Sequence, residues 1–299
     1  MAQIDLSIIV VSYNTQKITK TCLDTVFMSL ETAPFSWEVV AVDNDSADGS
    51  VKMLEAYKKK HPHHIQLILN SKNVGFGRAN NQGVRDSRGR YILLLNSDTE
   101  ILDNAIAKMY EYYEAHQSEA QFLGAKLLNK DRSPQPSAAP FFTLPVVFGF
   151  LFLKGDKIGL TRRSPDAITD VGWVSGACIF TAKKYYEELG GFDEGIFMYM
   201  EEVDLLYRAR KKGYMTRFYP DARIIHLGSA SSNKTFPILQ AYRGFIYFYK
   251  KHYGPLAMLL LLGMLKLKAV LAVFIGTALK KPYLIETYAE AYKIAKVDR

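Results

Sequence analysis

The stretch YILLLNSDTEI, residues 91–101, sets five apolar or aromatic residues directly before Asn96, Ser97 and Asp98. Because residues 91–95 lack polar alternation, they predict a strand that is covered on both faces. Ligands of open α/β sheets bind at the carboxyl ends of the strands, so Asp98 is a candidate to hold a metal ion or a substrate hydroxyl. The same residue types also form turns and helix caps, and for this stretch alone that alternative stays open.

The first 130 residues alternate apolar runs with helical spacing. Strands are predicted at 4–11, 37–42, 65–69, 91–95 and 122–128, and helices at 16–30, 50–60, 78–85 and 104–116. This alternation predicts a parallel sheet covered by helices. Residues 129–169 contain five prolines and predict a loop or lid, whose phenylalanines either face a lipid-like partner or lie in a buried hairpin. Regular structure is predicted again at 171–181 and in a helix at 198–212.

Polar residues follow each of the first four strands, where a core has no use for them. They are Ser12, Tyr13 and Asn14; Asp43 and Asn44; Asn73, Gly75, Arg78 and Asn80; and Asn96, Ser97 and Asp98. Four such strand ends at one edge of a parallel sheet predict a polar crevice. The segment SYNTQK after the first strand has no glycine, which argues against a dinucleotide-binding oxidoreductase, and no GxxxxGK[ST] motif of a P-loop occurs.

Seven ordered segments carry a resemblance to a known family. IIVVSYN, VDNDSADGS, NVGFGRANNQG, LLLNSDT, VSGACIF, GGFDEGIFMYMEEVDL and RIIHLGSAS resemble the family 2 inverting glycosyltransferases of GT-A fold, rhamnosyltransferase-like members above all. The similarity covers about residues 5–230. It implies an α/β GT-A fold and transfer of a sugar from a nucleotide diphosphate to a hydroxyl. The implied donor is dTDP-L-rhamnose, or next a UDP-sugar, and the implied acceptor is a glycan or a polyprenyl-linked precursor of bacterial cell-surface polysaccharide.

The resemblance also implies roles for the strand ends. Asp43 would accept a hydrogen bond from the imide N–H of uracil or thymine, with Ser12, Tyr13, Asn14 and Asn44 around the base. Asn73, Gly75, Arg78 and Asn80 would contact the ribose and diphosphate. Asn96-Ser97-Asp98 takes the place of the family's DxD motif, which binds Mg²⁺ or Mn²⁺, and Asn96 replaces the first aspartate. His226 is either a further metal ligand or an ordinary loop histidine.

The segment MEEVDL corresponds to the family's catalytic acid pair. Glu202 is the candidate general base and Glu201 the second choice, although the family usually has aspartate at the second position. Asp204 would orient the sugar site or cap the helix. All three carboxylates would also stabilise a helix N-terminus without any catalytic role. Trp173, Ser175 and Gly176 resemble the segment beside the donor sugar, and Trp173 is equally well explained as a buried aromatic.

The C-terminal region differs from the rest in charge and hydropathy. From residue 240 onward ten basic residues face three acidic ones, which accounts for +7 of the net charge of +8. Interleaved tyrosines and phenylalanines suggest nucleic acid or an anionic membrane, and the apolar tract at 256–279 favours the membrane. Lys266 and Lys268 are expected to split this tract into two halves that are each too short to span. An interfacial or re-entrant helical hairpin is therefore expected, with a packed core helix and a true span as alternatives.

These features predict two regions. Residues 1–235 form the GT-A domain, with a nucleotide-binding half at 1–128 and an acceptor half at 129–235, and residues 236–299 form a membrane-associated extension. The expected location is the cytoplasmic face of the bacterial inner membrane, because the N-terminus has no basic region of a signal peptide and the two cysteines, Cys22 and Cys178, fit a reducing compartment. A homo-oligomer stays open. A second hypothesis is a catalytically weak, membrane-bound scaffold of a glycan-assembly complex, motivated by Asn96 and Glu202.

Overall fold

The structure is a computed structural model that describes residues 4–228 and 235–296. It divides into two compact units. The first comprises Met1–Ala139, Arg163–Phe197 and Glu201–Ser231, and the second comprises Pro140–Arg162, Met198–Met200 and Ser232–Arg299.

The described chain contains strands and helices in the following order. The strands are β1 Ile4–Ser12, β2 Trp37–Asp43, β3 Ile65–Leu69, β4 Gly89–Asn96, β5 Thr99–Ile101, β6 Phe122–Leu128, β7 Ala138–Ala139, β8 Thr169–Val171, β9 Trp173–Val174, β10 Cys178–Ala182 and β11 Thr216–His226. The helices are α1 Gln16–Leu30, α2 Ser50–Lys60, α3 Phe76–Asp86, α4 Ala105–His116, α5 Leu144–Phe152, α6 Lys183–Glu188, α7 Glu201–Lys211, α8 Thr235–His252, α9 Pro255–Ala278 and α10 Pro282–Ile294.

A mixed sheet forms the centre of the first unit, with strand order β3-β2-β1-β4-β10-β6-β11-β5 and β8 paired to β11. The neighbours β3, β2, β1 and β4 are parallel, whereas β10 runs antiparallel between β4 and β6. A separate two-stranded sheet pairs β7 with β9. The sheet flanked by helices confirms the predicted α/β architecture.

Both faces of the parallel strands are covered, as the unbroken apolar runs predict. On β1, both Ile8 and Ile9 are fully buried although they point to opposite faces. Ile8 lies in a core cluster with Cys22 and Val26 of α1. On the other face α3 approaches closely, since a Cβ at Gly83 would lie 2.5 Å from Cγ2 of Ile9.

The structure corrects the expectation of a loop or lid at residues 129–169. This segment contains β7, α5 and β8. Pro145 lies in the first turn of α5, where its missing N–H costs no hydrogen bond. The apolar run that follows has no polar face, so it lacks the amphipathic pattern by which a surface helix is recognised.

The second unit corrects the expectation for the C-terminal tract. α9 runs without interruption through Lys266 and Lys268, because lysine is a good helix former and neither proline nor an internal break occurs there. The chain turns only after Leu279, and α10 begins at Pro282. By length and composition alone α9 is long and apolar enough to cross a membrane, with a mean hydropathy of 2.3.

Candidate active site

The candidate site lies along the carboxyl edge of the parallel strands. In β1, Ser12 is opposite Asp43 of β2, and Val11 is opposite Asn96 of β4. Neighbouring strands lie about 4.8 Å apart. The ends of β2, β1 and β4 therefore form one continuous rim, as their polar residues predict.

Asp43 presents a buried acceptor at this rim. Its side chain is 1% exposed, and Oδ1 accepts a hydrogen bond from the backbone N–H of Ser46 at 2.9 Å. Oδ2 has no hydrogen-bond partner among the described residues. A buried unpaired acceptor costs about 1–3 kcal/mol. A ligand that brings a donor to Oδ2 would recover this cost.

Two asparagines shape the loop between β3 and α3. Asn44 accepts hydrogen bonds from the N–H of Val74 and donates to Oδ1 of Asn73, at 3.1 and 2.9 Å. Gly75 has a φ of 90°, and a Cβ there would lie 2.9 Å from the carbonyl oxygen of Phe197. The side chains of Asn44 and Asn73 therefore hold this loop in place by hydrogen bonds. Position 75 requires glycine because its φ is positive and because a Cβ would clash with the carbonyl of Phe197.

Other expected nucleotide contacts occupy different environments. Tyr13 is 40% exposed at the rim, and Asn14 accepts a hydrogen bond from the N–H of Ala47, which holds the loop after β2. Arg78 forms an exposed ion pair with Glu194 and stays accessible.

Two of the expected contacts point into the protein. The Ser12 hydroxyl is buried 3.2 Å from Oγ1 of Thr19 on α1. Asn80 is 1% exposed and donates to the carbonyl of Phe76. In this structure both side chains support the rim from behind and do not line it.

The end of β4 meets the end of β11 at three potential metal ligands. Nε2 of His226 lies 3.4 Å from Oδ1 of Asp98 and 3.4 Å from Nδ2 of Asn96. Oδ1 of Asn96 is buried and has no hydrogen-bond partner within residues 4–228 and 235–296. Ser97 is half-buried between the two ligand candidates.

These three side chains fit a divalent cation held partly by substrate. Neighbouring ligands around a Mg²⁺ ion of about 2.1 Å bond length lie about 3 Å apart, close to the separation of Asp98 and His226. Magnesium is commonly bound by one or two protein carboxylates together with substrate phosphates. The described chain contains no cluster of three or more His, Cys, Asp or Glu side chains, so the protein alone offers only a partial coordination shell.

The β9–β10 turn connects this rim to the acid pair. The N–H of Asn96 donates to the carbonyl of Ala177 at 3.0 Å, and a Cβ at the preceding Gly176 would lie 3.5 Å from Cβ of Glu202. Ser175 donates its N–H to the carbonyl of Ser137. The β9–β10 turn therefore contacts Asn96 through Ala177 and lies against Glu202 at Gly176.

Trp173 is placed inside the protein. It is 2% exposed and pairs through the backbone with Ala139 in the β7–β9 sheet. In this structure its ring is a buried aromatic that supports the segment leading to Ser175.

The two glutamates at the start of α7 differ in environment. Glu201 is 6% exposed, and its Oε2 has no hydrogen-bond partner in the described part of the chain, whereas Glu202 is half-buried. Burial, with a further contribution from the neighbouring Glu202 carboxylate, raises the pKa of Glu201 well above its usual range. Burial and the neighbouring carboxylate therefore both disfavour the charged form of Glu201.

Asp204 holds the turn that precedes the acid pair. It is fully buried and pairs with Arg208 at 2.7 Å, and Arg208 donates to the carbonyl of Gly191. Gly190 and Gly191 both have positive φ, which glycine adopts at little cost. Asp204 is therefore positioned to orient the site and not to contact a sugar.

Sequence reasoning missed three features of this region. Gln135 contacts His226, and Ser137 contacts the backbone of Ser175, but both lie in the proline-containing segment that had been assigned to a loop. Tyr199 and Met200, just before α7, have φ values of 66° and 77°, a conformation that side chains other than glycine rarely adopt. Backbone strain of this kind often occurs at functional sites, and no sequence pattern reveals it.

A cavity of about 390 Å³ lies at the opposite end of the sheet. Its lining includes Gly89 and Tyr91 at the beginning of β4 and Lys183 after β10. Arg90 is paired there with Glu114 and Lys183 with Glu187, while the Lys184 ammonium lies over the ring of Tyr185. The chemistry of the rim, and not the volume of this cavity, therefore defines the candidate site.

Comparison with known proteins agrees with the geometry. Residues 7–165 match the sequence profile of the family described as Glycosyl transferase family 2, and the chain belongs to this family. It is 27% identical over 214 residues to N-acetylglucosaminyl-diphospho-decaprenol L-rhamnosyltransferase of Mycobacterium tuberculosis, an alignment that covers 66% of this chain and 68% of the relative.

Solved structures share the fold at lower sequence identity. A mannosyltransferase from Pyrobaculum calidifontis in complex with GDP-Man and Mn²⁺ is 17% identical, with a TM-score of 0.56 over 99% of this chain and 86% of that one. GalNAc-T7 with UDP, GalNAc and Mn²⁺ is 15% identical, with a TM-score of 0.61 over 83% of this chain and 48% of that one. The chain therefore has the GT-A fold, as the resemblance implies.

Glu201→Gln tests the neutral state of the buried acid. Above pH 4.5, the ordinary value of the group, the unfolded chain releases this proton while the raised pKa keeps it in the folded chain. The free energy of unfolding of the wild type should therefore fall relative to the variant as pH rises from below 4.5 to neutral, measured by urea unfolding at several pH values.

Glu188→Gln is the control of opposite sign. The hydrogen bonds of Glu188 with Lys212 and Tyr214 lower the pKa of its carboxyl, so the wild type should gain stability relative to this variant as pH rises toward 4.5 and change little above it. A wild type that gains stability relative to Glu201→Gln as pH rises would show that Glu201 is ionised in the folded protein.

Proposed function

We propose that this chain is an inverting glycosyltransferase that moves a sugar, rhamnose above all, from a nucleotide diphosphate to a hydroxyl of a lipid-linked glycan. The observation that carries the proposal is a pair of buried acceptors along one rim. Oδ2 of Asp43 and Oδ1 of Asn96 both lack hydrogen-bond partners among the described residues. Natural proteins pair nearly all such atoms, so these two indicate a ligand with a donor and a cation.

The nucleobase binds at Asp43. The imide N–H of uracil or thymine is a donor that suits the free Oδ2, and a hydrogen bond to a carboxylate contributes about 1.5–3 kcal/mol. Cytosine and adenine present an acceptor nitrogen where uracil, thymine and guanine present a ring N–H, so the carboxylate disfavours the first two. Among the remaining bases, the resemblance to rhamnosyltransferases favours UDP- or dTDP-linked donors. Tyr13 at the exposed rim supplies an aromatic surface beside the base.

Asp98, Asn96 and His226 hold the divalent cation together with the diphosphate. Mg²⁺ or Mn²⁺, when bound, neutralises the charge that develops on the nucleoside diphosphate as it leaves. The neighbours with Mn²⁺ bound support this assignment of metal dependence. Arg78, which is half-exposed, is placed on the diphosphate side.

Glu202 is the general base. Its carboxylate takes the proton of the acceptor hydroxyl while that oxygen bonds to the anomeric carbon. The bond from the anomeric carbon to the phosphate oxygen breaks on the opposite face, and the nucleoside diphosphate departs with the electron pair. Attack from the face opposite the leaving group inverts the anomeric configuration.

Glu201 supports this role by staying protonated. Two adjacent carboxylates are costly to ionise together, and burial raises the pKa of Glu201. A proton held by Glu201 would let Glu202 carry the negative charge that a base needs. This division of roles favours Glu202 over Glu201 as the base.

The acceptor is lipid-linked, and the second unit associates with the membrane. The relative from Mycobacterium tuberculosis is named for a decaprenol-linked acceptor and for rhamnose transfer. On α9 a row of large apolar side chains is exposed, with Leu256 and Phe274 each 71% exposed. Lys280 and Lys281 follow α9 and suit anionic headgroups at the cytoplasmic face of the bacterial inner membrane.

A scaffold without turnover is the second candidate. Asn96 in place of an aspartate favours it, because only one carboxylate, Asp98, is available to the cation at the rim. Release of nucleoside diphosphate from a donor, with metal and a membrane extract as the source of acceptor, separates the two. A scaffold releases none.

Asp43→Asn tests the base contact. The amide can present N–H donors toward the imide N–H of the base, so we expect UDP or dTDP to bind about ten- to a hundredfold more weakly in calorimetric titration. Asp45→Asn, an exposed position in the same loop, is the matched control and should bind as the wild type does. Equal affinity in the two variants would remove Asp43 from the nucleotide site.

Glu202→Gln and Glu201→Gln separate the two acids. Loss of the base should lower turnover by about 10²- to 10⁴-fold in Glu202→Gln. Glutamine resembles a protonated glutamic acid, so Glu201→Gln should stay within about threefold of the wild type. Turnover is read as nucleotide release at saturating donor and acceptor, and the reverse order of the two effects would assign the base to Glu201.

Phe274→Asp tests the membrane contact. A charge in the last turns of the exposed row on α9 opposes burial in lipid, so flotation with anionic liposomes should fall several-fold. Met28→Asp on α1 alters a side chain of similar exposure, 68%, and should float as the wild type does. Unchanged flotation of Phe274→Asp would place the membrane contact elsewhere.

A further inference from the structure

We propose that Gln135 is a positioning residue that fixes the tautomer of His226 and so aims the lone pair of Nε2 at the metal side of the rim. This inference rests on the proposed metal role of Asp98, Asn96 and His226. Neither the family resemblance nor the sequence pattern pointed to Gln135.

The orientation of the Gln135 amide is determined by a backbone carbonyl. Its side-chain nitrogen lies 3.1 Å from the carbonyl oxygen of His226, which can only accept a hydrogen bond, and 3.1 Å from Oδ1 of Asn129. The backbone N–H of Gln135 donates to the carbonyl of Leu127, which holds the residue in place. The nitrogen of the amide therefore faces these acceptors, and Oε1 faces the imidazole.

The amide in turn determines the tautomer. Oε1 of Gln135 lies 2.7 Å from Nδ1 of His226, so Nδ1 must carry the proton and donate it. In the neutral ring the lone pair then belongs to Nε2, the atom that faces Asp98 and Asn96. An N–H donated by one ring nitrogen to an amide oxygen is the arrangement that orients metal-binding histidines.

The alternative protonation states fit less well. The Nε2–H tautomer would require the amide to turn over, which sets two acceptor oxygens, Oε1 of Gln135 and the His226 carbonyl, against each other at 3.1 Å. A charged imidazolium would donate to Asp98, but the 3.4 Å separation exceeds the about 2.7–2.9 Å of charge-assisted hydrogen bonds. The lone pair of Nε2 and the carboxylate of Asp98 repel each other unless a cation lies between them.

The tautomer is tested in the protein without metal. The nitrogen chemical shifts of histidine side chains distinguish Nδ1–H from Nε2–H, and the six histidines are few enough for assignment with a His226→Gln variant. In alkaline buffer we expect the wild type to show one tautomer, Nδ1–H. Gln135→Met keeps the length of the side chain but has neither donor nor acceptor of this kind, and it should shift His226 toward Nε2–H.

The metal consequence is tested with Mn²⁺ and UDP by electron paramagnetic resonance. Gln135→Met should raise the dissociation constant of Mn²⁺ about 10- to 100-fold. Gln135→Glu still accepts the Nδ1 proton, so it should keep the Nδ1–H tautomer. Its second oxygen faces the His226 carbonyl in place of the amide nitrogen, so it should recover only part of the affinity. Gln117→Met is the matched control, because it removes a glutamine that donates to the Tyr91 hydroxyl at the other end of the sheet, and it should bind Mn²⁺ as the wild type does.

Each outcome separates this inference from the proposed function. An Nε2–H wild type, or Mn²⁺ affinity unchanged in Gln135→Met while Asp98→Ala loses it, overturns the role of Gln135 and leaves the metal site standing. A wild type that binds UDP but no Mn²⁺ overturns the metal role itself, and this inference with it. Loss of affinity in Gln135→Met with partial recovery in Gln135→Glu supports it.

Discussion

Buried polar atoms without partners at one edge of the sheet are the constraint on which the site depends. Asp43 and Asn96 each present such an atom, while the surrounding core is apolar and closely packed. Leaving these acceptors unpaired costs stability in the protein alone. Burial of the apolar strand β1 on both faces offsets that cost. β1 lies between β2 and β4 and so holds their polar ends at the edge of the sheet.

The same constraint distributes the chemistry along the rim. A donor is needed at Asp43 and a cation near Asn96 and Asp98. The nucleobase and the metal-bound diphosphate of a sugar nucleotide would satisfy these two needs in that order. Membership in the glycosyl transferase family 2 is independent of this reasoning, because it comes from sequence similarity and not from the unpaired atoms.

The strands and the polar residues at their ends could be predicted from the sequence because both follow from local patterns, whereas the insertion of β10 between β4 and β6 could not. Unbroken apolar runs such as residues 91–95 indicate strands buried on both faces, and their polar ends indicate a ligand edge. The helix α5 and the unbroken α9 were missed because an all-apolar helix has no periodic pattern and because lysine does not break helices. The inward orientation of Ser12 and Asn80 depends on tertiary contacts with Thr19 and Phe76, which no local pattern encodes.

The contacts of Gln135 are the clearest case of what sequence alone withholds. A glutamine between two prolines predicts a loop, yet its amide lies between the ring and the carbonyl of a histidine 91 positions away. The different roles proposed for Glu201 and Glu202 are a second case. The two residues are adjacent and of the same type, so only their burial in the folded protein distinguishes them.

The most direct measurement is a crystal structure of the protein with dTDP and Mn²⁺, with the metal located by anomalous scattering. Our account expects the manganese peak bonded to Asp98 and the imide nitrogen of thymine within hydrogen-bond distance of Oδ2 of Asp43. Nucleotide bound instead in the cavity beside Gly89 and Lys183, at the other end of the sheet, would contradict it.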